Sequence, residues 1–126
     1  MGGGTGAFTT PAHQEKNPCF VVAPQCPDKD IGWNKQVADN LMLLIADLAD
    51  KLPVDMKRLY LSGSSMGGFG TWETASEYPD TYAAIAPICG GAGVRWVTAE
   101  RIKHLPAWIF HGDKDGAVPV ENSHKI

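Results

Sequence analysis

A short stretch in the middle of the chain has the residue types and the spacing of a nucleophilic serine in a tight turn. Gly63-x-Ser65-x-Gly67 follows the apolar run Leu59–Leu61 and precedes residues that predict the start of a helix. A serine at the apex of such a strand–turn–helix connection has a strained backbone and needs neighbours without side chains two positions away on either side. The pattern predicts a nucleophile elbow. The alternative is an ordinary turn in which Ser65 only caps the helix.

Residues that follow Ser65 would support chemistry at its oxygen. The backbone N–H of Met66 would face the space beside that oxygen and donate to a developing oxyanion, helped by the positive end of the following helix. Gly68 and Gly70 would let the helix lie close on the sheet. We therefore predict that Met66 contributes to an oxyanion hole.

The elements that must position Ser65 alternate between strands and helices. Helices are predicted from Asn34 to just before Pro53, from the elbow to about Tyr78, and over Thr98–His104. Apolar runs typical of strands buried on both faces lie at Cys19–Ala23, Lys57–Ser62, Ala83–Ile88 and Ala107–His111. This alternation predicts the α/β class, with a parallel sheet that has helices on both faces.

Two carboxylates follow the last predicted strand. Asp113 and Asp115 would leave the sheet at the same edge as Ser65, with one strand between theirs and the elbow strand. That separation suits an acid that orients a histidine, which in turn activates the serine. The alternative is that an aspartate in an Asp-Gly pair only forms a turn.

Length and charge limit the class of protein. A chain of 126 residues is enough for a single domain with a sizeable core, in which residues 1–18 are predicted to be a loop-like leader. The net charge of -3 without basic runs argues against nucleic acid or an anionic membrane as the partner. No run is long enough to span a bilayer, and no signal peptide is recognisable at the start, which leaves the localisation open.

The three cysteines, Cys19, Cys26 and Cys89, are an odd number at no metal-ligand spacing. Free or buried thiols are the prediction, with a Cys19–Cys26 bridge as the alternative. No metal is expected.

Four segments in order carry a family resemblance: Val22–Pro27, Ser62–Trp72, Ala84–Gly91 and His111–Pro119. Together they resemble the α/β-hydrolase superfamily, and more narrowly its phospholipase/carboxylesterase and polyhydroxybutyrate-depolymerase-like esterases, which include feruloyl esterases. The similarity extends over nearly the whole chain from about Pro18. The resemblance implies a reduced α/β-hydrolase fold and serine-dependent ester hydrolysis without a cofactor.

The resemblance also implies roles for particular residues. Ser65 would be the nucleophile, the Met66 N–H would donate in the oxyanion hole, and Asp115 would be the triad acid, because it occupies the acid position of the His-Gly-x-x-Asp-x-x-Val-Pro pattern. The substrate would be a small ester with a short-chain or aryl group, such as a feruloyl or acetyl group on plant polysaccharide. Trp33, Trp72 and Trp96 are candidates to line its pocket, although a tryptophan one turn into the elbow helix, as Trp72 is, is more typical of a core residue.

The catalytic histidine is where the chain departs from the family. The family's histidine follows the acid in a Gly-His loop, but here Ile126 is reached first. Only His124 preserves the order Ser, Asp, His, so it is the candidate base, although Val120–Ile126 predicts the opening of a helix. The other histidines are interpreted as structural or surface residues: His13, His104 and His111.

The resemblance further suggests a chain shortened at both ends. The family's His-Gly-rich oxyanion loop and leading strands would precede residue 1, and Gly2–Gly4 is interpreted as part of a flexible leader. Exposed sheet edges predict a homodimer or swapped homo-oligomer, which could bring His124 or His13 of one subunit to Ser65 of another.

Two other functions stay open at this point. One is a serine peptidase of the prolyl-oligopeptidase type, and the other is a catalytically impaired fragment that serves as a folding or interaction unit. A weak or missing histidine favours esters over peptides, because amide cleavage requires protonation of a poor leaving group.

Overall fold

The structure is a computed structural model that describes residues 5–91, 99–124 and 126. Its elements in chain order are helices α1 (Thr5–Phe8), α2 (Pro11–Lys16) and α3 (Lys35–Lys51), strand β1 (Tyr60–Ser64), helix α4 (Met66–Glu77), strand β2 (Ala84–Ile88), and helices α5 (Ala99–Ile102) and α6 (Glu121–His124). None of the helices in these described ranges is both long and apolar enough to cross a membrane.

The sheet is parallel, as the alternating pattern predicts. β1 pairs with β2 in a register that runs from Tyr60 opposite Ala84 to Ser64 opposite Ile88. Residues 107–110 continue the sheet on the far side of β2 through isolated parallel bridges. There the Trp108 N–H donates to the Ile85 carbonyl and the Phe110 N–H to the Pro87 carbonyl, each at 3.0 Å. β2 therefore lies between β1 and residues 107–110, from which the next loop leaves the sheet.

The beginning of the chain differs from the sequence prediction. The strand predicted at Cys19–Ala23 is wrong, because these residues lie in irregular chain outside the sheet, with Phe20 and Val22 exposed. Residues 5–16, for which loop is predicted, contain α1 and α2. Thr10 caps α2 by accepting a hydrogen bond from the His13 N–H at 3.3 Å, and Pro11 occupies the first turn.

The core lies around helix α4. This helix packs on both strands, and α3 and α5 pack on it. Its Trp72 is only 1% exposed and contacts a cluster of buried apolar side chains from the sheet and from α5, which confirms the expectation of a core residue. Burial of this apolar surface is the main source of the domain's stability. α3 is held at its start by Asn34, whose side chain accepts from the Val37 N–H at 3.0 Å.

Glycines set the distance between α4 and the strands. A Cβ at Gly63 would overlap the backbone of Gly67, and one at Gly68 would lie 2.5 Å from the Ile88 carbonyl oxygen. The expectation that these two positions provide room is confirmed. A Cβ at Gly67 would meet open space, so the prediction that this glycine gives room at the turn is wrong. A Cβ at Gly70 would meet the ring of Trp33, so the prediction that this glycine lets the helix lie close on the sheet is also wrong.

We predict that alanine at the two elbow glycines changes the free energy of unfolding by very different amounts. Gly63→Ala would force β1 and α4 apart and lower the free energy of unfolding by about 3 kcal/mol. Gly67→Ala would change it by less than about 1 kcal/mol, because the methyl group meets open space and alanine has the higher helix propensity. Urea unfolding followed by circular dichroism measures both, and equal losses in the two variants would contradict this account of the elbow.

Candidate active site

Ser65 alone forms the turn between β1 and α4. Its backbone has φ 55° and ψ −116°, in the region that residues with a side chain rarely adopt. Such a conformation costs of order 1–3 kcal/mol and persists only where the surroundings enforce it. Here the Ser65 N–H donates to the Ile88 carbonyl at 2.9 Å, and its own carbonyl accepts from the Phe69 N–H at 3.1 Å. These two bonds hold the turn from both sides.

The side chain of Ser65 is left free for chemistry. It makes no capping hydrogen bond to α4, and its oxygen has no hydrogen-bond partner within residues 5–91, 99–124 and 126. Ser65 is exposed. The alternative of a serine that merely caps a helix is therefore excluded by this geometry.

Met66 is the first residue of α4. The N–H groups of a first turn have no acceptor within their own helix and point out of its positive end. The Met66 N–H is thus a donor at the start of α4, one residue after Ser65, and the sequence predicts it as an oxyanion-hole donor. Its action on an oxyanion stays a prediction.

A cleft of about 460 Å³ opens beside Ser65. One side is formed by Met66, Phe69 and Glu73, which recur at spacings of three and four residues and so share one face of α4. The other side is formed by residues 29–34, which include Trp33. The structure therefore places Trp33 in the wall of this cleft, and its contact with a substrate stays a prediction. Trp96 lies outside the described residues.

Asp115 is a hydrogen-bonded carboxylate in the loop that follows residues 107–110. One oxygen, Oδ1, accepts from the Ala117 N–H at 2.9 Å and from the Val118 N–H at 3.0 Å. These bonds, together with the nearby His111 ring, lower the pKa of Asp115 below its usual value. The other oxygen, Oδ2, has no partner within hydrogen-bonding distance among the described residues; its nearest cationic candidate is His111 Nε2, at 3.8 Å. The neighbouring candidate, Asp113, is exposed.

His111 is a structural residue, as its place in the motif implies. Its side chain is 3% exposed. Nε2 lies 2.8 Å from the Val118 carbonyl, and since a carbonyl only accepts, Nε2 carries the hydrogen. Nδ1 lies 2.7 Å from Ser123 Oγ, which in turn is 3.2 Å from the Gly90 carbonyl oxygen. The ring thereby joins the Asp115 loop to α6 and to the loop after β2.

The candidate base, His124, lies at the exposed end of the single-turn helix α6. Its ring makes no hydrogen bond or ion pair within the described part of the chain, so the structure brings it to neither Ser65 nor Asp115.

A histidine that bonds to both residues would have to bridge the distance between their strands. Two strand spacings, about 10 Å, separate the elbow strand from residues 107–110. One imidazole with a hydrogen bond at each nitrogen bridges a gap of that order. The role of His124 stays a prediction.

Sequence reasoning missed Glu73 as a residue of the cleft. It is only 7% exposed. Burial is the larger cause that raises the pKa of Glu73, and the neighbouring charge of Glu77 raises it further. The periodicity Met66, Phe69, Glu73 would have revealed it, because these positions lie on the face of the helix that begins beside Ser65.

All three cysteines are free thiols, as predicted, and no Cys19–Cys26 bridge forms.

The Esterase family model, described as "Putative esterase", matches residues 3–122. The chain belongs to the Esterase family. The solved structure of a thermostable esterase superposes with a TM-score of 0.81 and 40% identity, over 93% of this chain and 34% of that one. The fold is therefore a reduced α/β-hydrolase fold, as the resemblance implies.

Two curated relatives of this chain agree with its assignment to the Esterase family. A bifunctional acetylxylan esterase/xylanase of Neocallimastix patriciarum is 33% identical over 87 residues, which are 69% of this chain and 12% of that protein. Poly(3-hydroxyalkanoate) depolymerase C of Paucimonas lemoignei is 39% identical over 62 residues, 49% of this chain and 15% of the depolymerase. The chain thus spans a small part of these relatives and about a third of the solved esterase. The family match begins at residue 3, so it is wider than the expected start near Pro18.

We predict that Asp115 makes the stability of this esterase-family chain depend on acid pH. Because its pKa is lower in the folded than in the unfolded chain, its contribution is complete above the unfolded pKa and is lost as the pH falls through the folded pKa. Urea unfolding between neutral and acid pH measures the loss. Asp115→Asn keeps the two backbone bonds and should lack this part of the pH dependence, while the exposed Asp113→Asn should match the wild type. Parallel curves for wild type and Asp115→Asn would contradict the prediction.

Proposed function

We propose that this chain carries the nucleophile and the acid of a serine carboxylesterase that hydrolyses short-chain or aryl esters through an acyl-enzyme on Ser65. The strongest support is the Ser65 turn, in which a strained backbone presents an unbonded oxygen at the start of α4 and beside a cleft. Membership of the Esterase family supports ester hydrolysis as the reaction. Feruloyl and acetyl esters are the substrate classes we favour.

In the proposed first step, Ser65 Oγ attacks the ester carbonyl carbon. Its proton passes to a histidine base, for which His124 is the candidate in this chain, and the carbonyl oxygen becomes an oxyanion that accepts from the Met66 N–H. Asp115, already ionised and fixed by two backbone bonds, offers its remaining oxygen to the protonated histidine. The carbon–oxygen bond to the alcohol then breaks, and the histidine returns the proton to the leaving alcohol.

In the second step, water replaces the alcohol and the acyl group leaves Ser65 as the carboxylic acid. The histidine removes a proton from the water and returns it to the serine oxygen. No step requires a metal or a cofactor. The names of the two curated relatives, an acetylxylan esterase and a polyhydroxyalkanoate depolymerase, both denote cleavage of esters.

A second candidate function is a catalytically impaired unit of the same family. It is favoured by one observation, that among the described residues the ring of His124 makes no hydrogen bond or ion pair with Ser65 or Asp115. The peptidase alternative has no such support, because the family match and both curated relatives concern esters.

Assembly of more than one chain is part of the proposal. Large apolar side chains are exposed on the edge strands, with Tyr60 68% and Trp108 72% exposed. Exposed strand edges with apolar side chains favour pairing with another chain. A homodimer or swapped oligomer would cover them, and sedimentation of the protein as a monomer at micromolar concentration would contradict this part.

We predict that hydrolysis depends on Ser65 and not on the serine beside it. Burst and steady-state hydrolysis of p-nitrophenyl acetate and butyrate should fall by about a thousandfold or more in Ser65→Ala. Ser64→Ala, at the adjacent end of β1, is the matched control and should stay within a few-fold of the wild type. Equal hydrolysis by Ser65→Ala and the wild type would contradict the esterase proposal.

The base is tested in the same assay with His124→Ala. A loss equal to that of Ser65→Ala means that His124 completes a compact triad. Unchanged hydrolysis by His124→Ala, with loss in Ser65→Ala, means that another residue or another subunit supplies the base. This outcome would contradict the role of His124 while leaving the nucleophile in place.

A further inference from the structure

The wall of the cleft that contains Trp33 belongs to a segment whose hydrogen bonds are all local. Every hydrogen bond that residues 26–34 make with other described residues ends on Gln25 or on the first turn of α3. The segment touches α4 through the Trp33 ring, which fills the space that a side chain at Gly70 would need. Such a packing contact has no fixed direction, so the position of the wall depends on how α3 is held.

A hydrogen bond attaches α3 to the far end of α4. Tyr78, the residue that caps α4, donates its phenolic O–H to Asp39 Oδ1 at 2.5 Å, within the range of a charge-assisted bond. Lys35 Nζ lies 2.7 and 2.8 Å from the two oxygens of the same carboxylate. Within the described ranges, no other side-chain hydrogen bond joins α3 to α4 or to its cap.

Both partners of this hydrogen bond are prepared for it. The Tyr78 ring packs against the core cluster around Trp72, so the core determines where its hydroxyl group lies. The hydrogen bond to Asp39 is the largest cause that raises the pKa of Tyr78, whereas Lys35, followed by Tyr78, lowers the pKa of Asp39. At neutral pH the donor therefore keeps its proton and the acceptor its charge.

Two separate contacts thus fix α3 and the segment before it on α4. The first is Trp33 on Gly70, and the second is Asp39 on Tyr78. Along α4 the two contacts are eight residues apart, which is about 12 Å of helix. Ala38, which is fully buried, keeps the two helices close between them. One contact would leave a pivot, but two contacts at this distance fix both the separation and the angle of α3.

We infer that Tyr78 is a positioning residue of the cleft, which through Asp39 and α3 sets where Trp33 lies against an ester bound at Ser65. The inference rests on the proposed function and deepens it. Tyr78 follows Ser65 by thirteen residues, about 20 Å along α4, so it touches neither the substrate nor the reacting atoms. Its loss weakens the binding of the ester and leaves the chemical step unchanged, which raises KM without lowering kcat.

Steady-state hydrolysis of p-nitrophenyl butyrate by the full chain tests the effect on binding. Tyr78→Phe removes the donor and keeps the ring, and it should raise KM about fivefold, the order of one hydrogen bond, with kcat within about twofold of the wild type. Asp39→Leu should match it, and Asp39→Asn, which keeps an acceptor oxygen, should restore part of the affinity. Tyr82→Phe is the matched control, because it removes from the same core cluster a hydroxyl group without a partner in the described chain, and it should leave KM unchanged.

Coupling to Trp33 separates positioning from a general loss of stability. Trp33→Ala removes the wall, so Tyr78→Phe added to it should raise KM no further. Hydrogen exchange gives a second readout, which needs no activity. The amides of Gly32 and Ala38, which donate to Asp28 and Asn34, should exchange about fivefold faster in Tyr78→Phe, whereas the amides of β1 should exchange as in the wild type.

Three results would each overturn the inference: an unchanged KM in Tyr78→Phe, an equal further rise of KM in the Trp33→Ala background, or unchanged exchange at Gly32 and Ala38. In each case, Ser65-dependent hydrolysis of p-nitrophenyl butyrate leaves the esterase proposal standing. Hydrolysis that does not depend on Ser65 overturns the proposed function and, with it, the role of Trp33 in binding an ester. The exchange result then decides by itself whether Tyr78 positions the wall.

Discussion

The close contact between the backbones of Gly63 and Gly67 is the constraint on which the rest of the site depends. It forces β1 to pass directly into α4, so that Ser65 alone makes the turn and takes φ 55°. The strained backbone is held by the Ile88 carbonyl of the neighbouring strand, and Gly68 keeps α4 against the same strand. The free serine oxygen, the N–H groups of the helix start and the cleft along α4 are all consequences of this contact.

The loop that holds Asp115, the proposed triad acid, is tied to the same framework through a chain of short contacts. Gly68 packs on Gly90, the Gly90 carbonyl lies beside Ser123 Oγ, and Ser123 lies beside His111, whose other nitrogen donates to the loop that holds Asp115. Because these contacts are part-buried hydrogen bonds and backbone packing, the Ser65 turn and the Asp115 loop are fixed relative to one another. A histidine that reaches both would therefore meet preformed partners.

Much of this arrangement could be predicted from local pattern. The Gly-x-Ser-x-Gly turn, the alternation of elements and the position of Asp115 after residues 107–110 depend on short-range geometry that the residues themselves dictate. The strand expected at Cys19–Ala23 does not form, because an apolar run becomes a strand only where a pairing partner exists. Glu73 was missed because a single acidic residue in a helix resembles a solvated surface charge unless its spacing from Met66 and Phe69 is considered.

The most direct test of the central claim is the structure of the protein after reaction with a small organophosphonate fluoride. The account predicts one covalent adduct at Ser65, with the phosphoryl oxygen within hydrogen-bonding distance of the Met66 N–H, where the oxyanion of ester hydrolysis would lie. An adduct at another residue, no adduct at all, or a phosphoryl oxygen that points away from the start of α4 would contradict it.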